Sequence, residues 1–210
     1  MYLSNYFDEK LESLKDNIIG NRKYTDIIKT LNSAFPDEPK LQFKKETYPF
    51  FKKNRVSISG LYDMEEDKMY IVLNLSNKHR TFNTTQEAWP EIKFSISQVC
   101  QHEYIHKLQW QNREGIVVEK PLEFRINKTS KYEEQEYLSD ADEIDAYAHD
   151  IAMEIKHYYP RQDPYNILRT LNARRKLQSY TLYKRTFKDT EWDCIRKRLY
   201  TKIYKWLAFV

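Results

Sequence analysis

The sequence is poor in the residues that mark several classes of protein. Two cysteines in 210 residues are too few for a disulfide framework, and three glycines argue against a linker or a collagen-like protein. No run of 18 apolar residues occurs, and the N-terminus lacks a basic segment followed by an apolar one. The sequence therefore predicts no membrane segment and a reducing compartment. We expect the cytoplasm.

Charged and aromatic residues are abundant instead. With 40% hydrophobic and 31% charged residues, the chain has the composition of an ordinary globular protein. The charge is uneven, because residues 156–210 carry 14 Lys and Arg against 4 Asp and Glu. We expect a single domain over residues 1–210, made of an N-terminal helical part (1–54), a core (55–155) and a basic helical C-terminal extension (156–210).

One short motif indicates chemistry. His102-Glu103-Tyr104-Ile105-His106 has the pattern H-E-x-x-H, for which composition alone predicts roughly 0.01 occurrences in a chain of this length. Residues four apart on a helix lie on one face, so the two imidazoles can converge on one metal ion. Glu103 lies beside that pair, where its carboxylate can accept a proton. The motif predicts that His102 and His106 bind zinc and that Glu103 is a general base.

The pattern of apolar residues places this motif in a long helix. Period 3.6 predicts a helix from about residue 92 to 113, ended by Gly115, and shorter helices around residues 4–18 and 25–31. Residues 55–62 and 68–76 are rich in β-branched and aromatic types, which predicts an antiparallel hairpin. Residues 116–127 alternate loosely and indicate another strand or an extended loop.

A further helix after Ser139 or Asp140 offers a third ligand. Glu143 and Ala146 share one face of this helix, and the small Ala146 would allow a close approach to the histidine helix. Asp140 and Glu143 also match a capping box, which is a purely structural explanation of Glu143. A catalytic zinc takes three protein ligands, so one candidate should serve and the others should not. The candidates are Glu143, Asp140, Asp142, Asp145, His149 and His157.

This pair of patterns resembles a known family. H-E-x-x-H followed some tens of residues later by Glu143-x-x-Ala146 is similar to the gluzincin branch of the zincin metallopeptidases, in particular the minigluzincins, and to uncharacterised H-E-x-x-H proteins of tailed phages. The resemblance covers roughly residues 55–155. It implies that His102, His106 and Glu143 bind Zn²⁺, with Glu103 as the base. In the longer gluzincin pattern an Asp stands where this chain has Tyr147, so Asp145 or Asp150 would have to orient a histidine.

The resemblance also implies a fold and an activity. The fold expected is α+β and zincin-like, with a small antiparallel sheet packed on the motif helix and on a glutamate-bearing helix, and with helical N- and C-terminal extensions. The activity expected is zinc-dependent hydrolysis of peptide bonds in a protein or peptide substrate. In that reaction we expect the strand at residues 69–76 to offer its backbone to an extended substrate.

The basic C-terminal part supports an alternative function. Basic clusters at 174–176, 184–185 and 196–198 interleave with aromatic residues, a composition that can bind nucleic acid or an acidic protein partner. The alternative is therefore a non-catalytic binding protein on a zincin scaffold. A structural explanation of the same region is an apolar stripe that packs on the body while the charges face solvent. That stripe comprises Trp192, Ile195, Leu199, Ile203 and Trp206.

Overall fold

The computed structural model describes residues 3–52, 54–113, 131–173, 176–187 and 189–210. Within them the fold is mixed α+β with small sheets, and the chain divides into two compact units, Met1–Leu108 and Gln109–Val210. The boundary falls inside one long helix. The predicted helix end at Gly115, the predicted strand at 116–127 and the basic pair Arg174 and Arg175 lie outside the described residues. The single domain stays a prediction.

The first unit combines helices with two small sheets. The predicted helices near residues 4–18 and 25–31 are confirmed, although the first is split in two. Phe7, Phe35 and Phe43 form a stack in the core, with ring centroids 5.8 and 5.7 Å apart. The elements in chain order are α1 (Leu3–Glu12), α2 (Lys15–Ile18), β1 (Gly20–Lys23), α3 (Tyr24–Ser33), β2 (Leu41–Tyr48), β3 (Ser57–Asp63), β4 (Lys68–Ser76), β5 (Thr81–Thr84) and α4 (Trp89–Asn112).

The larger sheet has the strand order β2-β4-β3. The predicted hairpin is confirmed, since β3 and β4 pair antiparallel. The expectation of an antiparallel sheet is wrong in one respect, because β2 pairs parallel with β4 along its whole length. The prediction that residues 69–76 receive a substrate is also wrong, because β4 is the central strand and both of its edges are paired. A two-stranded sheet, β1-β5, completes this unit.

One face of the larger sheet is covered. Met69 and Ile71 of β4 are fully buried, and the register places Phe43 of β2 and Gly60 of β3 on either side of Ile71. Side chains alternate between the two faces of a strand, so Gly60 belongs to the covered face and the 47% exposed Leu61 to the other. The covered face packs against helices. At Gly60, strand β3 contributes no side chain to this face.

The outer edge of β2 is closed by Asn32 at the end of α3. Its side-chain amide donates to the Phe43 carbonyl at 3.0 Å, and its side-chain oxygen accepts from the Phe43 amide at 2.8 Å. An edge strand exposes such backbone groups to further pairing, and a side chain that satisfies both of them closes the edge at that point. In the described part of the chain, β3 has a strand neighbour on one side only.

The second unit is helical and is built around α6 (Ala141–Tyr158). Ile144, Ile151 and Ile155 of this helix are at most 1% exposed, and Leu199 and Ile203 of the C-terminal helix join them in the core. The predicted apolar stripe on that helix is therefore confirmed. None of the described helices combines the length and apolar character needed to cross a membrane. Besides the last turn of α4, the unit contains α5 (Lys131–Ser139), α6 (Ala141–Tyr158), α7 (Pro164–Arg169), α8 (Gln178–Thr186) and α9 (Asp189–Trp206).

Asn32→Ala tests the closed edge of β2. Removing the amide leaves the Phe43 N–H and C=O without their side-chain partner, so we expect a loss of about 1 kcal/mol in the free energy of unfolding. Urea denaturation measures it. Asn83→Ala, at an exposed position on β5, is the matched control and should change stability by less than about 0.5 kcal/mol. Equal effects of the two substitutions would contradict a special role for Asn32.

Candidate metal centre

The motif histidines lie one turn apart on α4. This helix begins with Pro90 in its first turn, where a missing amide hydrogen costs nothing, and the Thr85 hydroxyl accepts from the Ala88 amide at 3.2 Å just before it. Nε2 of His102 is 3.2 Å from Nε2 of His106, and the two rings meet edge to face. The predicted helix thus presents both nitrogens to one point.

Glu143 lies in the first turn of α6. Asp140 is the N-cap of this helix and accepts from the Asp142 amide at 2.8 Å. A capping box would direct the Asp140 amide to Glu143, but this amide donates to the Tyr137 carbonyl at 3.1 Å. Glu143 itself is only 5% exposed.

Asp142 ties this first turn to the end of α4. The Gln109 side chain donates to the Asp142 carbonyl at 3.2 Å, and the guanidinium of Arg113 forms an ion pair with the Asp142 carboxylate. All of these groups belong to the second unit, and α4 is one continuous helix. The first turn of α6 is therefore fixed to the last turn of α4 within the second unit.

These three side chains can hold a metal ion. One ligand atom each from His102, His106 and Glu143 can be chosen so that all lie within 4.8 Å of one another. Two nitrogens bound tetrahedrally to one zinc ion at about 2.0–2.1 Å are about 3.3 Å apart, close to the 3.2 Å between the imidazoles. His102 and Glu143 are buried, at 7% and 5% exposure. Burying ionisable side chains costs free energy, so surface solubility does not explain their presence.

The other predicted third ligands have different contacts. Asp140 caps α6, and Asp142 pairs with Arg113. Asp145 accepts from the Trp206 indole at 3.1 Å and lies 3.0 Å from the Lys202 ammonium, so it fixes α9 to α6. These carboxylates have structural roles, and none of them is in the group of three.

The two remaining histidine candidates also lie apart from the group. His149 is 2% exposed and packs edge to face on Trp206, with Nδ1 at 3.9 Å from the Asp150 carboxylate. His157 is near the end of α6, where it packs on Tyr158. Asp150 is buried on α6 and remains the candidate for a carboxylate that orients a ligand, a role that stays a prediction.

Glu103 is packed against the backbone of β3. Its exposure is 6%, and a Cβ atom placed on Gly60 would lie 2.5 Å from Cγ and 2.7 Å from Cδ of Glu103. No real side chain tolerates such distances. The bare backbone at Gly60 is therefore what admits the Glu103 carboxyl group between α4 and the sheet. This contact was not predicted from the sequence. The signal for it was Gly60 itself, because a glycine inside a strand often marks a place where another group approaches the backbone closely.

Tyr183 is a second residue that the sequence did not single out. It is fully buried in the second unit, and its hydroxyl makes no hydrogen bond to a described residue. Burial, and then the negative fields of Tyr147, Glu143 and Asp150, raise the pKa of the Tyr183 phenol far above its usual range. The group therefore stays a hydrogen-bond donor beside the acidic face of α6. No local pattern separates it from the other 16 tyrosines.

Cys100 is not a ligand. It is fully buried two residues before His102, and burial raises the pKa of its thiol well above the usual range. A thiolate is the form that binds metal, so a protonated thiol in an apolar core is inert. The expectation that Cys100 is a small apolar core residue is confirmed.

Several of the described basic side chains of the C-terminal part have partners there. Arg185 is 3.8 Å from the Glu134 carboxylate, Arg196 is 3.1 Å from Asp193, and Arg198 donates to the Ser139 carbonyl at 3.2 Å. The apolar stripe of α9 is buried, which agrees with the structural explanation of this region. A nucleic-acid or acidic partner stays a prediction.

No protein-family model matches this chain, and neither a curated protein nor a solved structure does. The resemblance to gluzincins therefore rests on the motif pair in the sequence alone.

Glu143→Gln tests the third ligand. The amide keeps the shape of the side chain but removes its charge, so we expect at least about a 100-fold loss of metal affinity. Metal analysis of the purified protein and competition with a chelating dye measure it. Glu154→Gln is the control, because Glu154 is equally buried on α6 but accepts hydrogen bonds from Ser179 instead. Full metal content in Glu143→Gln would remove Glu143 from the site.

Gly60→Ala tests the contact with Glu103. The added methyl group cannot coexist with the Glu103 carboxyl in its present place, so we expect about 1–3 kcal/mol of destabilisation from overpacking. Thermal or urea unfolding measures it. Ser57→Ala, on the same strand and exposed, should be neutral. The double variant Gly60→Ala with Glu103→Ala should regain most of the loss, and failure to do so would show that the two residues do not compete for one space.

Proposed function

We propose that this chain is a zinc-dependent metallopeptidase with a zincin-like fold of the gluzincin type. The observation that supports it best is the grouping of His102, His106 and Glu143, with Glu103 one residue after the first histidine. Two imidazoles and one carboxylate leave a fourth position open, which is the donor set of many catalytic zinc sites. A protein or peptide is the proposed substrate.

Zinc held by these residues would polarise the scissile carbonyl and make water a better nucleophile. Glu103 would accept a proton as the water oxygen bonds to the carbonyl carbon. It would then deliver that proton to the amine nitrogen as the C–N bond breaks, so the carboxylate ends as it began. The packing of Glu103 on Gly60 limits the places its carboxyl group can take, which favours both proton transfers.

The strand proposed to receive the substrate is β3. It lies at an edge of the sheet, and Gly60 brings its backbone next to Glu103. An extended peptide that adds to this edge would pair through main-chain groups and run past the base. The outer edge of β2 is a poorer choice, because the Asn32 side chain is already hydrogen-bonded to the N–H and C=O of Phe43 there.

The cytoplasm is the proposed compartment. Cys100 is buried and Cys194 is exposed, and both are free thiols. An exposed free thiol is oxidised readily outside a reducing environment.

Glu103→Gln tests the catalytic role. Because glutamine cannot accept the proton, we expect peptide hydrolysis to fall by about 10²–10⁴ while metal content stays at the wild-type level. The measurement is cleavage of casein or of a peptide library, with metal analysis of the same samples. Glu91→Gln, in the first turn of α4, is the control for a charge change on this helix.

The same assay distinguishes the proposed peptidase from the alternative, a non-catalytic binding protein. A chelator should abolish cleavage by the wild type, and added zinc should restore it. Cleavage that survives chelation and is unchanged in Glu103→Gln would overturn the proposed mechanism. Absence of cleavage by a metal-loaded wild type, with and without DNA, would favour the non-catalytic binding protein instead.

A further inference from the structure

The first unit contains a cleft that the peptidase proposal does not use. Its volume is about 430 Å³, and it lies between the two sheets, where α3 begins. Its lining combines basic side chains with neutral donors and contains no acidic residue. The lining residues are Lys23, Tyr24, Thr25, Lys45, Thr47, Asn77, His79, Arg80 and Thr81.

Two of the lining residues occupy positions that the fold would otherwise fill with apolar side chains. Leu41 and Phe43 of β2 are buried on the covered face of the larger sheet. Lys45 and Thr47 have the same alternation and stand beside buried Leu73 and Leu75 of β4, yet they are polar. The covered face thus changes from apolar to cationic at the end of β2, where it forms a wall of the cleft.

No described acidic side chain pairs with the cationic groups of this cleft. In the described part of the chain, the side chains of Lys23, Lys45 and Arg80 make no ion pair and no hydrogen bond. Glu46, between Lys45 and Thr47, alternates to the other face and accepts from the Tyr48 hydroxyl. Asp26 is the nearest acid along α3 and accepts from Thr25 at 3.4 Å.

The excess of positive charge is local to the cleft. Over residues 1–108 as a whole, Lys and Arg are nearly balanced by Asp and Glu. Like charges gathered in one concave site repel each other and raise the local potential. Such an arrangement is relieved when an anion enters, and lysine, arginine and hydroxyl groups are the donors that phosphate oxygens take.

We propose that this cleft binds the phosphate group of a small phosphorylated molecule. Lys45 and Arg80 would supply the main charge from different walls, and Lys23 would add to it. The hydroxyls of Thr47 and Thr81 and the Asn77 amide would donate to the remaining oxygens. The volume exceeds that of inorganic phosphate and falls in the range of small-molecule sites, so the phosphate carries an organic group or a second phosphate. This site is independent of the proposed peptidase.

Isothermal titration of the full chain tests the proposal. The probes are inorganic phosphate, pyrophosphate and adenosine monophosphate, with adenosine as the uncharged comparison, all at one ionic strength. We expect saturable binding of at least one phosphate compound and none of adenosine. A larger affinity for pyrophosphate than for adenosine monophosphate assigns the extra volume to a second phosphate, and the reverse order assigns it to an organic group.

Charge reversal locates the site. Lys45→Glu and Arg80→Glu should each weaken binding at least tenfold, whereas Lys29→Glu should leave it unchanged, because Lys29 is exposed on α3 outside the cleft. Lys45→Met gives a milder variant if charge reversal prevents folding, which circular dichroism checks. No saturable binding, or equal weakening by Lys29→Glu, would overturn the proposal.

Discussion

The tie between the end of α4 and the start of α6 is the constraint on which the place of Glu143 within the second unit depends. The Asp142 carbonyl accepts a hydrogen bond from the Gln109 side chain, and the Asp142 carboxylate forms an ion pair with Arg113. A metal site needs ligand positions fixed within a fraction of an ångström, and long helices supply that precision better than loops do. The candidate ligands His102 and His106 lie on α4, and Glu143 follows Asp142 in the first turn of α6.

The parts of this centre that the sequence predicted are those encoded by local periodicity. His102 and His106 share a face because of the helical repeat, and Asp140 is recognisable as an N-cap from its position before an amphipathic run. The hairpin of β3 and β4 was predicted for a similar reason, since both strands have strong β-forming residues around a charged turn. Each of these signals is contained in a window of a few residues.

The parts that the sequence did not predict come from contacts between distant segments. β2 pairs with β4 in parallel across nearly thirty residues, and its polar second half hides the alternation that would mark a strand. Likewise, Glu143 and not Asp145 or His149 is grouped with the two histidines, and Trp206 contacts both of the other two candidates. Local pattern does not encode which distant side chain will occupy a neighbouring position.

The closure of β2 by Asn32 has a consequence for self-association. A sheet with two open edges can add strands without end, which is how ordered fibres grow. In the described part of this chain, Asn32 interrupts the outer edge of β2 at Phe43, whereas no strand pairs with the outer edge of β3. If two copies paired through β3, neither would have that edge left for a third copy. The unequal edges of the sheet therefore favour a closed pair over an extended fibre.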